Sequence, residues 1–128
     1  MLAQSGSFPF VGQLRYLAGS SPDSTLALIT LSFANRSITF TGDGGGQRAT
    51  YTVTVDLTQG TTTVRHVDTH KVIRVASFHE TQREDESVIF QQFLSVPPGT
   101  YSLSLSIRDE GSGNGSIQQM TVTIPRFG

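Results

Sequence analysis

The chain has 128 residues, with 9 Lys and Arg against 10 Asp and Glu for a net charge of -1, and no cysteine. That length suits one domain spanning the whole chain, large enough to bury a core without metals or crosslinks. The near-neutral balance supplies no field to concentrate the chain on nucleic acid, and the missing cysteines exclude thiol catalysis, thiolate metal sites and disulfides.

In chain order, residues 1–10 precede the first clear pattern and read as an extended or flexible N-terminal segment. Ser and Thr are abundant, Val and Ile recur and Lys occurs only at Lys71, a composition of strands and not of solvent-facing helices. Strands are predicted at 12–18, 25–34, 37–41, 48–57, 61–67, 71–76, 86–95, 100–108 and 116–124. Between them stand turn signals such as Gly42 to Gly46, Gln59-Gly60, Pro97-Pro98-Gly99 and Gly111 to Gly115.

Most strands have one apolar and one polar face. Tyr51, Val53, Val55 and Leu57 alternate with Thr50, Thr52, Thr54 and Asp56, and Tyr101, Leu103, Leu105 and Ile107 with Ser102, Ser104, Ser106 and Arg108. The stretch 26–33 is apolar on both faces, which predicts a central strand or one covered by a partner. It is far shorter than the roughly 20 residues of a membrane helix, so no membrane insertion is expected. About 7 to 9 such strands point to an all-β fold of two packed antiparallel sheets, an immunoglobulin-like β-sandwich or a jelly roll.

Chemistry-bearing residues are few. His66, Asp68 and His70 fall at alternate positions, so on a continuous strand they share a face and could offer two nitrogens and an oxygen to a metal; a solvated strand face is the better reading, and a bend is expected near Asp68. The charged stretch from His79 to Ser87 contains Glu80, Arg83, Glu84, Asp85 and Glu86, whose carboxylates would need a cleft to act as acid and base; a solvent-exposed crossover between the sheets explains them without one. Asp109, Glu110, Ser112 and Asn114 gather oxygen ligands in a glycine-rich loop, but the spacing is not that of a calcium-binding hand and hairpin-turn chemistry accounts for it. No nucleophile elbow, zinc-protease motif, phosphate loop or dinucleotide fingerprint occurs, so no cofactor and no enzymatic role is expected. Carbohydrate binding lacks the exposed aromatic platform it usually needs: there is no Trp, and Tyr51, Tyr101 and Phe33 sit in core-like alternation.

The second half carries a more distinctive pattern. Residues 74–91, RVASFHETQREDESVIFQ, lead to PGTYSLSLSIRDEGSG at 98–113 and to the closing IPRF at 124–127. These stretches resemble the β-sandwich region that precedes the GWxTD motif in the bacterial GWxTD-domain proteins, the earlier strands between Asp23 and Leu57 matching more loosely. The motif that names the family is absent here. The resemblance implies a sandwich module of a bacterial envelope or secreted protein, in the periplasm, at the cell surface or outside the cell, with no catalytic residues. It also implies a structural ion-pair cluster of Arg74, Glu80, Arg83, Asp85 and Glu86. Packing of the charged crossover onto the sandwich predicts further that Arg74 and Arg83 are partly buried and paired among those carboxylates and Asp109. The Ser102, Ser104 and Ser106 face, hydroxylated and without Lys, is the surface expected to self-associate or to dock a neighbouring domain.

Overall fold

The structure, a computed structural model, describes residues 3–6, 8–76 and 87–127. Alternation of apolar and polar residues sets its layers. Among the described residues nine strands follow in order: β1 (Ala3–Gly6), β2 (Val11–Ala18), β3 (Thr25–Ala34), β4 (Thr41–Asp43), β5 (Gly46–Gln59), β6 (Thr62–Val75), β7 (Ser87–Val96), β8 (Gly99–Asp109) and β9 (Gly115–Ile124), with a 3-10 turn at Asn35–Ser37. They form two antiparallel sheets, so the chain is an all-β sandwich. One sheet has the order β2-β3-β7; the other runs β1-β9-β8-β5, with β6 along one edge of β5. Since β6 follows β5 from Gln47 to Gln59, the other edge of β5 is shared by β8, against 51–58, and by the short β4, against 46–48.

The core lies between the sheets. Ile29, Leu31 and Phe33 of β3 and Phe90, Leu94 and Val96 of β7 face Tyr51, Val53, Val55 and Leu57 of β5 and Tyr101, Leu103, Leu105 and Ile107 of β8, all buried. As expected of a strand apolar on both faces, β3 is central in its sheet. Phe8, Phe33 and Tyr51 stack edge to face, with centroids 5.1 and 5.3 Å apart. The segment at Phe8 to Phe10 crosses from one sheet to the other, with both phenylalanines in the core. Its backbone is held by β9: Phe8 N donates to Ser116 Oγ at 2.7 Å and Gln118 Nε2 to Phe10 O at 3.3 Å. Glycine at position 12 leaves room for that amide, since a Cβ there would stand 2.6 Å from Gln118 Oε1.

Two regions depart from the sequence reading. The strands expected at 61–67 and 71–76 are one continuous strand of 14 residues, without a bend at Asp68. The Asp68 carboxylate accepts from Thr54 Oγ1 across the strand pair at 2.7 Å, a bond that ties this position to β5 within the ladder. The strand expected at 37–41 is replaced by the 3-10 turn and by β4, which closes on β5 through Gly44 and Gly45 at φ 58 and 99, a turn that glycine makes without strain.

The predicted ion-pair cluster is corrected in part. Glu80, Arg83, Asp85 and Glu86 lie outside the described residues. Arg74 is exposed and not partly buried, because even-numbered residues of β6 point to solvent; it stands in register with Arg48. Asp109 is 1% exposed, but its described partners are neutral: the carboxylate accepts from Thr39 N at 3.0 Å, Gly111 N at 3.1 Å and Ser112 Oγ at 2.8 Å. It therefore fastens the β8–β9 turn to the stretch before β4. Asp109→Ala should cost about 1–3 kcal/mol in denaturant unfolding, because it removes the acceptor of two part-buried backbone donors. A midpoint equal to that of the parent would contradict this anchoring role.

Candidate functional site

The outer face of the larger sheet is mostly polar, with Val72 and Ile117 as its exposed large apolar side chains. On it, β5 contributes Thr52, Thr54, Asp56 and Thr58, β6 contributes His66, Asp68 and His70, and β8 contributes Ser102, Ser104 and Ser106, in cross-strand rows such as His66–Asp56–Ser104. The period of two puts His66, Asp68 and His70 on one side, as their spacing requires. Their nitrogens do not converge. His66 Nδ1 bonds Asp56 Oδ1 in a short contact, and His66 Nε2 lies 3.0 Å from Asp68 Oδ2. Thr52 Oγ1 donates to Glu110 Oε1 at 2.9 Å, so it must accept from His70 Nδ1, 3.1 Å away. Among the described residues no three imidazoles or carboxylates are grouped to hold a metal.

With a carboxylate on each ring nitrogen, His66 is built as an imidazolium, both of whose nitrogens donate. Hydrogen bonding to Asp56, then to Asp68, raises its pKa above the usual 6.5, although the ring is solvent-exposed. Hydrogen bonds from Thr54 and then His66 hold Asp68 below its usual 3.8. This leaves both ring nitrogens of His66 and the Asp68 carboxylate engaged within the network.

Beside this network lies an open depression of about 440 Å³ lined by Asp56, Thr58, Ser102, Ser104, Gln119 and Thr121, with Leu103 and Met120 at its floor. It holds hydroxyl and amide groups but no aromatic ring. The serine face expected to self-associate belongs to β8, both of whose edges are already paired, with β5 and β9.

The outer face of the smaller sheet has the opposite character. Four of the large apolar side chains exposed on the molecule lie there: Val11 and Leu17 on β2, and Ile89 and Phe93 on β7, the last two 63% and 50% exposed. Between them Leu26 and Leu28 of β3 are half-buried, Leu26 paired with Leu17 and Leu28 with Phe93. The sequence missed this surface. The available signal was the apolar character of 26–33 on both faces, continued by the uncharged stretch SVIFQQFLSV.

No family model and no curated protein matches the chain. Among solved structures it is similar to the crystal structure of chicken MD-1 complexed with lipid IVa, at 11% identity and a TM-score of 0.45, over 96% of this chain and 88% of that one. Similarity at this level does not bear on what the chain binds.

The network makes a pH-dependent prediction. A raised His66 pKa stabilises the fold fully below 6.5 and is lost as pH rises through the raised value. The lowered Asp68 pKa stabilises it above 3.8 and is lost as pH falls through the lowered value, so both contributions are complete between those ordinary values. In an NMR titration His66 should therefore titrate above 6.5, and Asp56→Asn should bring it down. A His66 pKa at or below 6.5 in the parent would refute the arrangement.

Proposed function

We propose that the chain is a non-enzymatic, immunoglobulin-like β-sandwich that serves as a structural or protein-interaction module of a bacterial envelope or extracellular protein. The strand orders β2-β3-β7 and β9-β8-β5-β6 support the immunoglobulin-like part, since they follow the Greek-key order of that sandwich. So does Tyr101 at the start of β8, whose hydroxyl donates to Pro97 O at 2.7 Å as the tyrosine of such a corner does. The envelope setting rests on the sequence resemblance alone.

The interaction role is carried by one observation: among the described residues four of the six exposed large apolar side chains, Val11, Leu17, Ile89 and Phe93, gather on the outer face of the smaller sheet. Monomeric soluble proteins seldom leave such patches uncovered unless they meet a partner. Ligand chemistry is supported less. The hydroxyl-lined depression by Asp56 and Gln119 favours a second reading, a module for a small polar ligand or a carbohydrate, for which a glycan panel should raise the melting temperature of the native state.

Photo-crosslinking in cells that produce the protein separates the readings. A photoreactive residue at Phe93 should give protein adducts, and one at Ser104 on the opposite face should give few. Absence of adducts from either position would overturn the interaction reading, and adducts from Ser104 alone would return the docking surface to the serine face.

A further inference from the structure

A sandwich of two open sheets has edges, and every long edge must be managed or used. Among the described residues β1, β2, β4, β6 and β7 lie at edges, β4 with only 3 residues. β1 has only 4 residues. β2 carries the exposed Arg15, and β6 carries Arg65, His66, Asp68, His70, Lys71 and Arg74. β7 differs: its 10 residues, SVIFQQFLSV, contain no charge, no proline and no glycine. Its own residues therefore supply neither the charge nor the proline that commonly blocks strand pairing.

The orientation of its free groups can be read from its side-chain bonds. In an antiparallel strand the N–H and C=O of one residue point the same way, and the direction alternates along the chain. Gln92 Nε2 donates to Phe93 O at 3.0 Å, and Arg65 Nε and Nη2 donate to Ser95 O at 3.0 and 2.7 Å. The odd-numbered residues of β7 therefore turn their backbone groups away from β3. Arg65 occupies the Ser95 end and the Gln92 amide takes one lone pair of Phe93 O, which leaves the stretch from Ile89 to Phe93, with Gln91 at its middle, for pairing through the remaining groups.

We infer that β7 pairs antiparallel with β7 of a second copy, about a two-fold axis at Gln91, so that the β2-β3-β7 sheets of two molecules join into one. The inference deepens the interaction reading above and rests on it. The register follows from the faces: with Gln91 opposite itself, Ile89 of each copy stands opposite Phe93 of the other. The two most exposed apolar side chains of the strand then cover each other on the outer face, while Val88 and Leu94 meet on the inner side. A shift by one residue would set outward side chains against inward ones. An uncharged edge also allows close approach about a two-fold axis, where any charge at the centre would face its own copy. No other long edge on the described surface is uncharged, which makes a second β7 the best-matched partner strand that the chain itself contains.

The test is sedimentation equilibrium of the purified chain up to about 1 mM. The parent should show a mass that rises with concentration toward that of a dimer. Gln91→Lys and Gln91→Glu, at an exposed position that leaves the core intact, should each weaken the dimer about tenfold or more, and an equimolar mixture of the two should restore it. Circular dichroism, and the melting temperature in dilute samples where the parent is monomeric, should be unchanged in both variants. A parent that stays monomeric throughout would overturn self-pairing, while hetero-adducts from Phe93 in the crosslinking experiment would keep the interaction reading. A dimer indifferent to Gln91→Lys, or one that the Lys and Glu mixture fails to restore, would also overturn the two-fold axis at Gln91.

Discussion

Strand β3 is apolar on both faces, and the rest of the sandwich is arranged around that constraint. Its inward residues Ile29, Leu31 and Phe33 need a second sheet over them, which β5 and β8 supply with their own buried stripes. Its outward residues Leu26 and Leu28 have only the neighbouring strands for cover, and they remain half-buried between Leu17 and Phe93. Burial of apolar area drives the two sheets together at about 25 cal/mol per Å². The same force acts on the outer face of the smaller sheet, where nothing within the described chain answers it.

The larger sheet resolves its outer face differently. There the Thr and Ser positions of β5 and β8 leave hydroxyls in solvent, and the ionisable groups of β6 find partners across the ladder: Asp56 and Asp68 on His66, Thr52 on His70. Such exposed pairs add little stability and are screened by salt. Their structural consequence is a polar, hydrogen-bonded surface that needs no further cover. The molecule thus has one self-sufficient face and one incomplete face, and that asymmetry points the interaction reading toward β2, β3 and β7.

Much of this was legible in the sequence. The period of two gave the buried residues of β5 and β8, and the double-sided run at 26–33 gave a central strand. Pairing partners were not legible, because alternation is silent on which edge meets which. β1 was missed since 4 residues carry too little pattern, and only its pairing with β9 reveals it. Asp109 was read as an ion-pair partner because a sequence displays charges but not the backbone N–H groups that surround this carboxylate. The exposed stripe on β7 escaped notice for a related reason. With Val88 and Phe90 on one side and Ile89 and Phe93 on the other, the strand is apolar on both, and only the packed sheet shows which side faces out.

In the proposed assembly β7, which has a strand partner on one side only among the described residues of a single copy, is paired on both sides. Amide hydrogen exchange followed residue by residue, at low and at high micromolar concentration, addresses this pairing most directly. The amides of Phe90 and Gln92 point toward β3 and should exchange slowly at both concentrations, serving as the internal reference. Those of Ile89, Gln91 and Phe93 should exchange fast in the dilute sample and become protected in the concentrated one. Equal exchange of these three amides at both concentrations, whether fast or slow, would contradict the account.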